Sequence, residues 1–384
     1  MGGAGLPPVL PEVVGGVCAY TAASGEAPQP RRPGMSTSFV STARRLVLIT
    51  LFFSVLAACG AATAVPAPAP VAPTAVPATA TTASLPPAIS TVSPAAASPM
   101  AVTVTAPPFA FVDQIASADN PFDMPTGIAL DAQGDLYVID DGNSRVQKFD
   151  RAGTLLIQWG SHGAGDGQFI FVKGGDVAVD TSGQIYVTDK GNSRVQKFDQ
   201  TGEFLTKWGS AGDGAGQFKN LSDVDVDAAG NVYVTDRGRH VVQKFDATGK
   251  FLLQWGGPGT GDGQFNTPIG IVADHTGHIF VADYLNGRIQ KFDENGRFIA
   301  QFPLPAIDNR FTIPRKIAVD QPGNIYVTDN DNNRLIKLDP RGQVLAVWGS
   351  ASIFNGPIGV AVDAAGNVYV SDPASGRVQK FSQP

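Results

Sequence analysis

The residues best suited to chemistry in this chain are two carboxylates and two cations: Asp176, Asp223, Arg315 and Lys316. Paired carboxylates suit a divalent cation, and carboxylates set against Arg and Lys suit a small polar or zwitterionic ligand. These residues stand out because they interrupt a pattern. Three segments read Pro125-Thr126-Gly127, Pro268-Ile269-Gly270 and Pro357-Ile358-Gly359, whereas the matching places hold Gly174-Gly175-Asp176, Leu221-Ser222-Asp223 and Pro314-Arg315-Lys316. Other chemistries lack their parts. There is no nucleophile elbow, phosphate loop or Cys–His pair. The four histidines, His162, His240, His275 and His278, divide between loops expected on opposite faces, so three imidazoles cannot converge on one zinc. No catalytic residue is assigned.

The elements that carry these residues repeat. Tyr137, Tyr186, Tyr233, Phe280, Tyr326 and Tyr369 are spaced by 49, 47, 47, 46 and 43 positions, which makes six copies. In the first copy, strands at 127–131 and 136–140 flank a Gly-containing turn, a polar turn follows at 141–144, and further strands occupy 145–150 and 155–159. Short strands joined by turns at regular spacing read as antiparallel β, and a four-stranded unit repeating near 46 residues reads as one blade of a propeller. The expected fold of residues 109–384 is therefore all-β: a six-bladed β-propeller of four-stranded antiparallel blades. The sixth copy supplies only three strands before the chain stops. The strand missing from it is expected from residues 111–116, which would complete the last blade and leave no open edge. In such a ring Asp176, Asp223, Arg315 and Lys316 fall where the innermost strands meet the channel mouth.

A turn containing Asp, Asn and Arg marks each copy. Its best examples are Asp140/Asn143/Arg145, Asp189/Asn192/Arg194, Asp283/Asn286/Arg288 and Asp329/Asn332/Arg334. Asp accepts turn amides, Asn tolerates left-handed geometry, and Arg has five donors with which to tie turns together. Near-copies around a ring argue for a structural job, because one ligand does not need all of them. Trp159, Trp208, Trp255 and Trp348 end fourth strands, where inter-blade packing with the indole N–H capping a carbonyl is expected.

This turn, followed by Val/Ile-Gln/Ile-Lys-Phe/Leu, resembles the NHL-repeat family over roughly residues 109–384. Copy three departs from it with Arg239 and Val241, and copy six with Ser375. The resemblance implies a propeller that serves as a ligand-binding, scaffold or sensor domain, or in a few cases as an enzyme. Among similar propellers, lactonase-like ones hold a divalent cation at the channel mouth and amidating lyases use a converging His set, which is not found here.

The N-terminal third reads as an address. Residues 1–34 look like an upstream extension without order, and 35–58 as a signal peptide in which Arg44-Arg45 precedes about thirteen mainly apolar residues, short for a membrane span. The ending Leu56-Ala57-Ala58-Cys59 resembles a bacterial lipobox, which implies that Cys59 is acylated. Residues 59–108 are rich in Ala, Pro and Thr and have no charge, so they are expected to form a disordered tether. The first 108 residues hold four Arg and two Glu, leaving 24 basic against 32 acidic groups, or −8, in the remainder. An acidic domain with no run of Lys or Arg argues against nucleic acid as a partner. The expectation is a monomeric module, lipid-anchored in the cell envelope on the extracytoplasmic side, that binds a protein or a small polar ligand. A metal-dependent lyase or lactone hydrolase is the second reading. No cofactor is expected beyond a divalent cation in the channel.

Overall fold

The computed structural model describes residues 109–116 and 119–383. The segments expected to be an upstream extension, a signal peptide followed by Cys59, and a tether lie outside the described residues. Six four-stranded antiparallel sheets make up the domain. Blades one to five run in simple chain order, each with its first strand innermost. The second strands (Leu136–Asp140, Ile185–Asp189, Val232–Asp236, Ile279–Asp283, Ile325–Asp329, Val368–Asp372) are buried at every position. The fourth strands alternate between half-buried and exposed residues, as a sheet with one solvated face should.

Ring closure follows the sequence expectation. Ala110–Ile115 pairs antiparallel with Arg377–Ser382, with Phe111 opposite Phe381 and Ile115 opposite Val378. The outer strand of blade six is thus the first strand of the domain. A second contact seals the same junction. In blades one to three, the Trp that ends the fourth strand lies flat on a glycine turn of the next blade. A Cβ on Gly202 (φ +85°) would sit 2.9 Å from the Trp159 ring, so only glycine fits there. Blade six has no such turn, and Phe109 takes its place, stacked on Trp348 at 3.7 Å between ring centroids. These tryptophans correct one expectation. Their indole nitrogens are buried without a hydrogen-bond partner: the rings of Trp159, Trp208 and Trp255 are packed among aromatic and glycine neighbours, and that of Trp348 lies on Phe109.

The recurring turn is a small polar core. In blade two, Asp189 accepts from Asn192 Nδ2 at 2.8 Å, from Arg194 Nε at 2.7 Å and from the Ile170 amide at 2.8 Å. The Arg194 guanidinium then reaches the carbonyls of Ala164 and Gln168 in the loop arriving from blade one. Asp283 with Arg288 and Asp329 with Arg334 repeat this arrangement, and Asp140 with Arg145 does so with a more exposed Arg. Blade three has Val241 in place of the Arg. There Arg239 takes over, donating to the Gly214 and Gln217 carbonyls while Asp236 caps backbone amides.

The asparagines of this turn correct a second expectation. Asn143, Asn192, Asn286 and Asn332 do not take the left-handed conformation. The residue after each of them does: Ser144 (φ +54°), Ser193 (φ +53°), Gly287 (φ +61°) and Asn333 (φ +52°). In blades two, four and five the Asn ends a 3₁₀ turn, and the left-handed residue closes that turn before the third strand starts. What the position requires of Asn is its side-chain amide. Asn143 Nδ2 donates to Asp140 Oδ2 at 2.9 Å and to the Pro121 carbonyl at 3.2 Å. Asn286 Nδ2 donates to Asp283 Oδ2 and to the Gly259 carbonyl, both at 2.9 Å. Asn332 Nδ2 donates to Asp329 Oδ1 at 3.0 Å and to the Phe311 carbonyl at 2.9 Å. Each Asn thus links its own Asp to the incoming loop. These links are not deeply buried, since Asn143 is exposed and Asn286 and Asn332 are half-buried. The blades are joined to one another by this turn and by apolar packing, and the inner strands are left to approach the axis.

Candidate functional site

The innermost strands come so close at the axis that side chains are rationed. One position per blade points inward at the narrowest level: Gly127, Asp176, Asp223, Gly270, Lys316 and Gly359. A Cβ on Gly127 would lie 2.6 Å from the Asp176 Cα, and one on Gly270 would lie 3.0 Å from the Lys316 Cα. Three blades therefore give up their side chain there, and the space is filled by the other three.

Those three meet. Lys316, from blade five, crosses the axis so that its Nζ lies 2.6 Å from Asp176 Oδ1 and also contacts Asp223 Oδ1. Side-chain exposure is 12% for Lys316, 4% for Asp176 and 2% for Asp223, so the triad is essentially dry. The remaining carboxylate oxygens are also used. Asp176 Oδ2 accepts the Val224 amide of the next blade at 3.1 Å, and Asp223 Oδ2 accepts the Ile271 amide of the one after at 2.8 Å. Neighbouring inner strands belong to separate sheets; the Gly127 amide donates directly to the Gly175 carbonyl at 3.2 Å between blades one and two, and the carboxylates bridge blades two to three and three to four. Hydroxyls on the second strands fix the backbone beneath. Thr188 Oγ1 accepts the Asp176 amide and donates to the Ser222 carbonyl, and Thr235 and Thr328 do the same for Asp223 and Lys316.

This geometry corrects the expected divalent cation. The place between Asp176 and Asp223 is taken by an ammonium group of the chain itself. Burial pushes the Lys316 pKa down, opposed chiefly by the attraction of Asp176. Arg315 does not join the triad. It turns to the mouth above, where Lys173, Lys190 and Arg237 also line the space. Among the described residues, no group of three or more His, Cys, Asp or Glu is arranged to hold a metal ion.

Two groups escaped the sequence reading. Lys190 and Arg237 immediately follow the repeat Asp in their blades, in a column that elsewhere reads Asp141, Tyr284, Asn330 and Pro373. Comparing the copies column by column would have exposed them; scanning for runs of Lys and Arg does not, because ring closure brings together residues one repeat apart. Burial, then the charges of Arg237 and Arg315, push the Lys190 pKa down to about 8. Both guanidinium pKa values are also pushed down, first by burial. The second group is Asp225, one pleat below Asp223 in the lumen, where the other blades carry Ala or Val. Burial, reinforced by Asp176, pushes its pKa up to about 7 against the Ala273 amide, which it accepts at 2.7 Å, and against Lys316.

Fold and site together define a six-bladed β-propeller whose channel is closed by an internal ion triad beneath a cationic mouth. The repeats are identifiable. The NHL-repeat profile matches residues 122–149, 265–292, 311–338 and 354–381, which are blades one, four, five and six, and a family described as 6-bladed beta-propeller matches residues 175–256, blades two and three. Protein brain tumor of Drosophila melanogaster is 38% identical over 53 residues, a match spanning 14% of this chain and only 5% of that protein. Among solved structures, a streptogramin B lyase superposes with a TM-score of 0.53 at 13% identity, covering 71% of this chain and 97% of the lyase. A gluconolactonase from Xanthomonas campestris gives 0.52 at 16% identity, covering 73% and 98%. At such identities the likeness is one of fold.

Proposed function

We propose that this protein is a binding module of the cell envelope, exported and held on the extracytoplasmic side by a lipid on Cys59, and that it takes a small polar ligand at the channel mouth. The observation that carries this reading is the blocked channel. With Lys316 locked between Asp176 and Asp223, the axis is no longer a through pore: the plug leaves one recess at the mouth, with polar groups converging at its floor, and another below it lined by Ala178, Asp225 and Ala318. Concavity with a few convergent polar groups is the usual form of a small-molecule site. The enclosed volume at the mouth is only about 20 Å³, room for a single small polar group of a ligand whose remainder stays outside the recess. The lyase and lactone hydrolase reading is less well supported, since a metal in the channel would have to displace Lys316 from two carboxylates.

The test uses the full-length protein and a small-molecule extract of the envelope, with bound masses read by native mass spectrometry. Ile358→Trp fills the mouth without altering a charge and is expected to abolish binding. His275→Trp, on the opposite face, is expected to leave it intact. Binding that survives Ile358→Trp refutes the mouth as the site. Cys59→Ser is expected to move the protein from the membrane to the soluble fraction.

A further inference from the structure

Three cations at the mouth are arranged in a way that a purely structural role does not explain. Arg237 and Arg315 are both half-buried, and neither guanidinium makes a hydrogen bond or an ion pair among the described residues. Lys190 has one long contact, 3.5 Å to the Val172 carbonyl. The arginines buried in the blade turns are saturated, as Arg194, Arg288 and Arg334 show. Burying charge without a partner costs stability, and structural positions avoid it. The nearby carboxylates are engaged elsewhere. Asp176 and Asp223 hold Lys316, and Asp141 accepts the Gly174 amide at 2.6 Å. Asp331, which is exposed, and Tyr284 also face Arg315, without contacting it.

We propose that the mouth is an oxyanion site in which Lys190, Arg237 and Arg315 clamp the phosphate or carboxylate group of a small ligand. Guanidinium forks match the paired oxygens of both groups, and an ammonium adds a third donor from a neighbouring blade. The floor fits the same role. Because Lys316 neutralises one of the two carboxylates beneath and both are tied to backbone amides, an anion above meets donors before it meets a free carboxylate. Ile269 and Ile358 supply the apolar wall for the remainder of the ligand. The proposal rests on the mouth being the binding site and adds the chemical class it selects.

The experiment titrates the full chain at low ionic strength with inorganic phosphate and, in a second arm, with succinate, by calorimetry and thermal shift. The two arms tell phosphate from carboxylate preference, and binding of either supports the site. Arg237→Gln and Arg315→Gln are each expected to weaken binding at least tenfold. In the succinate arm, where the probe is a dianion throughout, raising the pH from 7 to 9 should weaken binding further as Lys190, with its pKa pushed down to about 8, loses its proton. Melting temperatures of the unliganded variants separate this from a structural role: removing an unpaired cation should leave the fold as stable or more so, whereas removing a structural one lowers it. No heat with either probe, or equal affinity in the Arg237→Gln/Arg315→Gln double variant, overturns the proposal. If neither probe binds while Ile358→Trp still blocks an envelope ligand, the oxyanion assignment falls and the mouth stands.

Discussion

Replacing Lys316 with Met takes the ammonium out of the axis and leaves Asp176 and Asp223 facing each other in a nearly dry space. At 2.6 Å and an effective dielectric constant near 20, the Lys316–Asp176 attraction is about 6 kcal/mol before desolvation is subtracted. Desolvation of the ions offsets much of that, so the triad contributes little net stability as a whole. Breaking it is another matter. Each carboxylate keeps a single backbone amide, from Val224 or Ile271, and the uncompensated charge costs about 3–5 kcal/mol. For a domain of this size that is a fall in melting temperature of about 6–20 °C at pH 8. Acid should relieve it, because protonating a carboxylate removes the uncompensated charge. The assay is a set of thermal melts from pH 5 to 8 on the wild type, on Lys316→Met, and on the triple variant that adds Asp176→Asn and Asp223→Asn. The single variant should recover toward pH 5, and the triple variant should regain most of the loss at pH 8. A single variant that melts with the wild type at pH 8, or whose deficit does not shrink in acid, refutes the account of the axis as an obligatory ion triad.

Other expectations follow from the same packing. Asp225 has a folded-state pKa raised to about 7, so its contribution is fully present below its unfolded value near 4 and is lost as the pH rises through 7. Denaturant midpoints should therefore fall between pH 5 and 8, and Asp225→Asn should flatten that slope, by no more than roughly 4 kcal/mol. Asp189→Ala strands the buried Arg194, the Ile170 amide and the side-chain amides of Asn192 and Gln196, and should cost about 3–5 kcal/mol by urea unfolding. Asp140→Ala, beside the more exposed Arg145, should cost less; equal losses would argue against burial as the cause. Deleting residues 109–116 uncovers the edge of Arg377–Ser382 and removes the Phe109–Trp348 stack, so light scattering on mild heating should show aggregation well below the wild-type melting point.

Much of the architecture can be read from the chain alone, for a physical reason. Turn chemistry at Asp, Asn and Gly and the two-residue alternation of the strands act over a few positions, and repeating them six times states the blade and its number. The shortfall of one strand in the last copy, matched by a spare strand at 111–116, states how the ring closes. The departures from Gly at the inner positions also mark Asp176, Asp223 and Lys316. Asn143, Asn286 and Asn332 mark where local reading stops: their recurrence is plain, but their partners are loop carbonyls some twenty residues or more upstream, which no local preference reveals. What the sequence does not contain is the radius of the ring. Only closure sets how near blade five comes to blades two and three, and that distance turns three marked residues into one ion triad and a cation site into an occupied one. The same closure gathers Lys190, Arg237 and Arg315, scattered singly through an acidic domain, into one cationic mouth. Local preferences specify each blade independently, whereas charge convergence is a property of the closed ring.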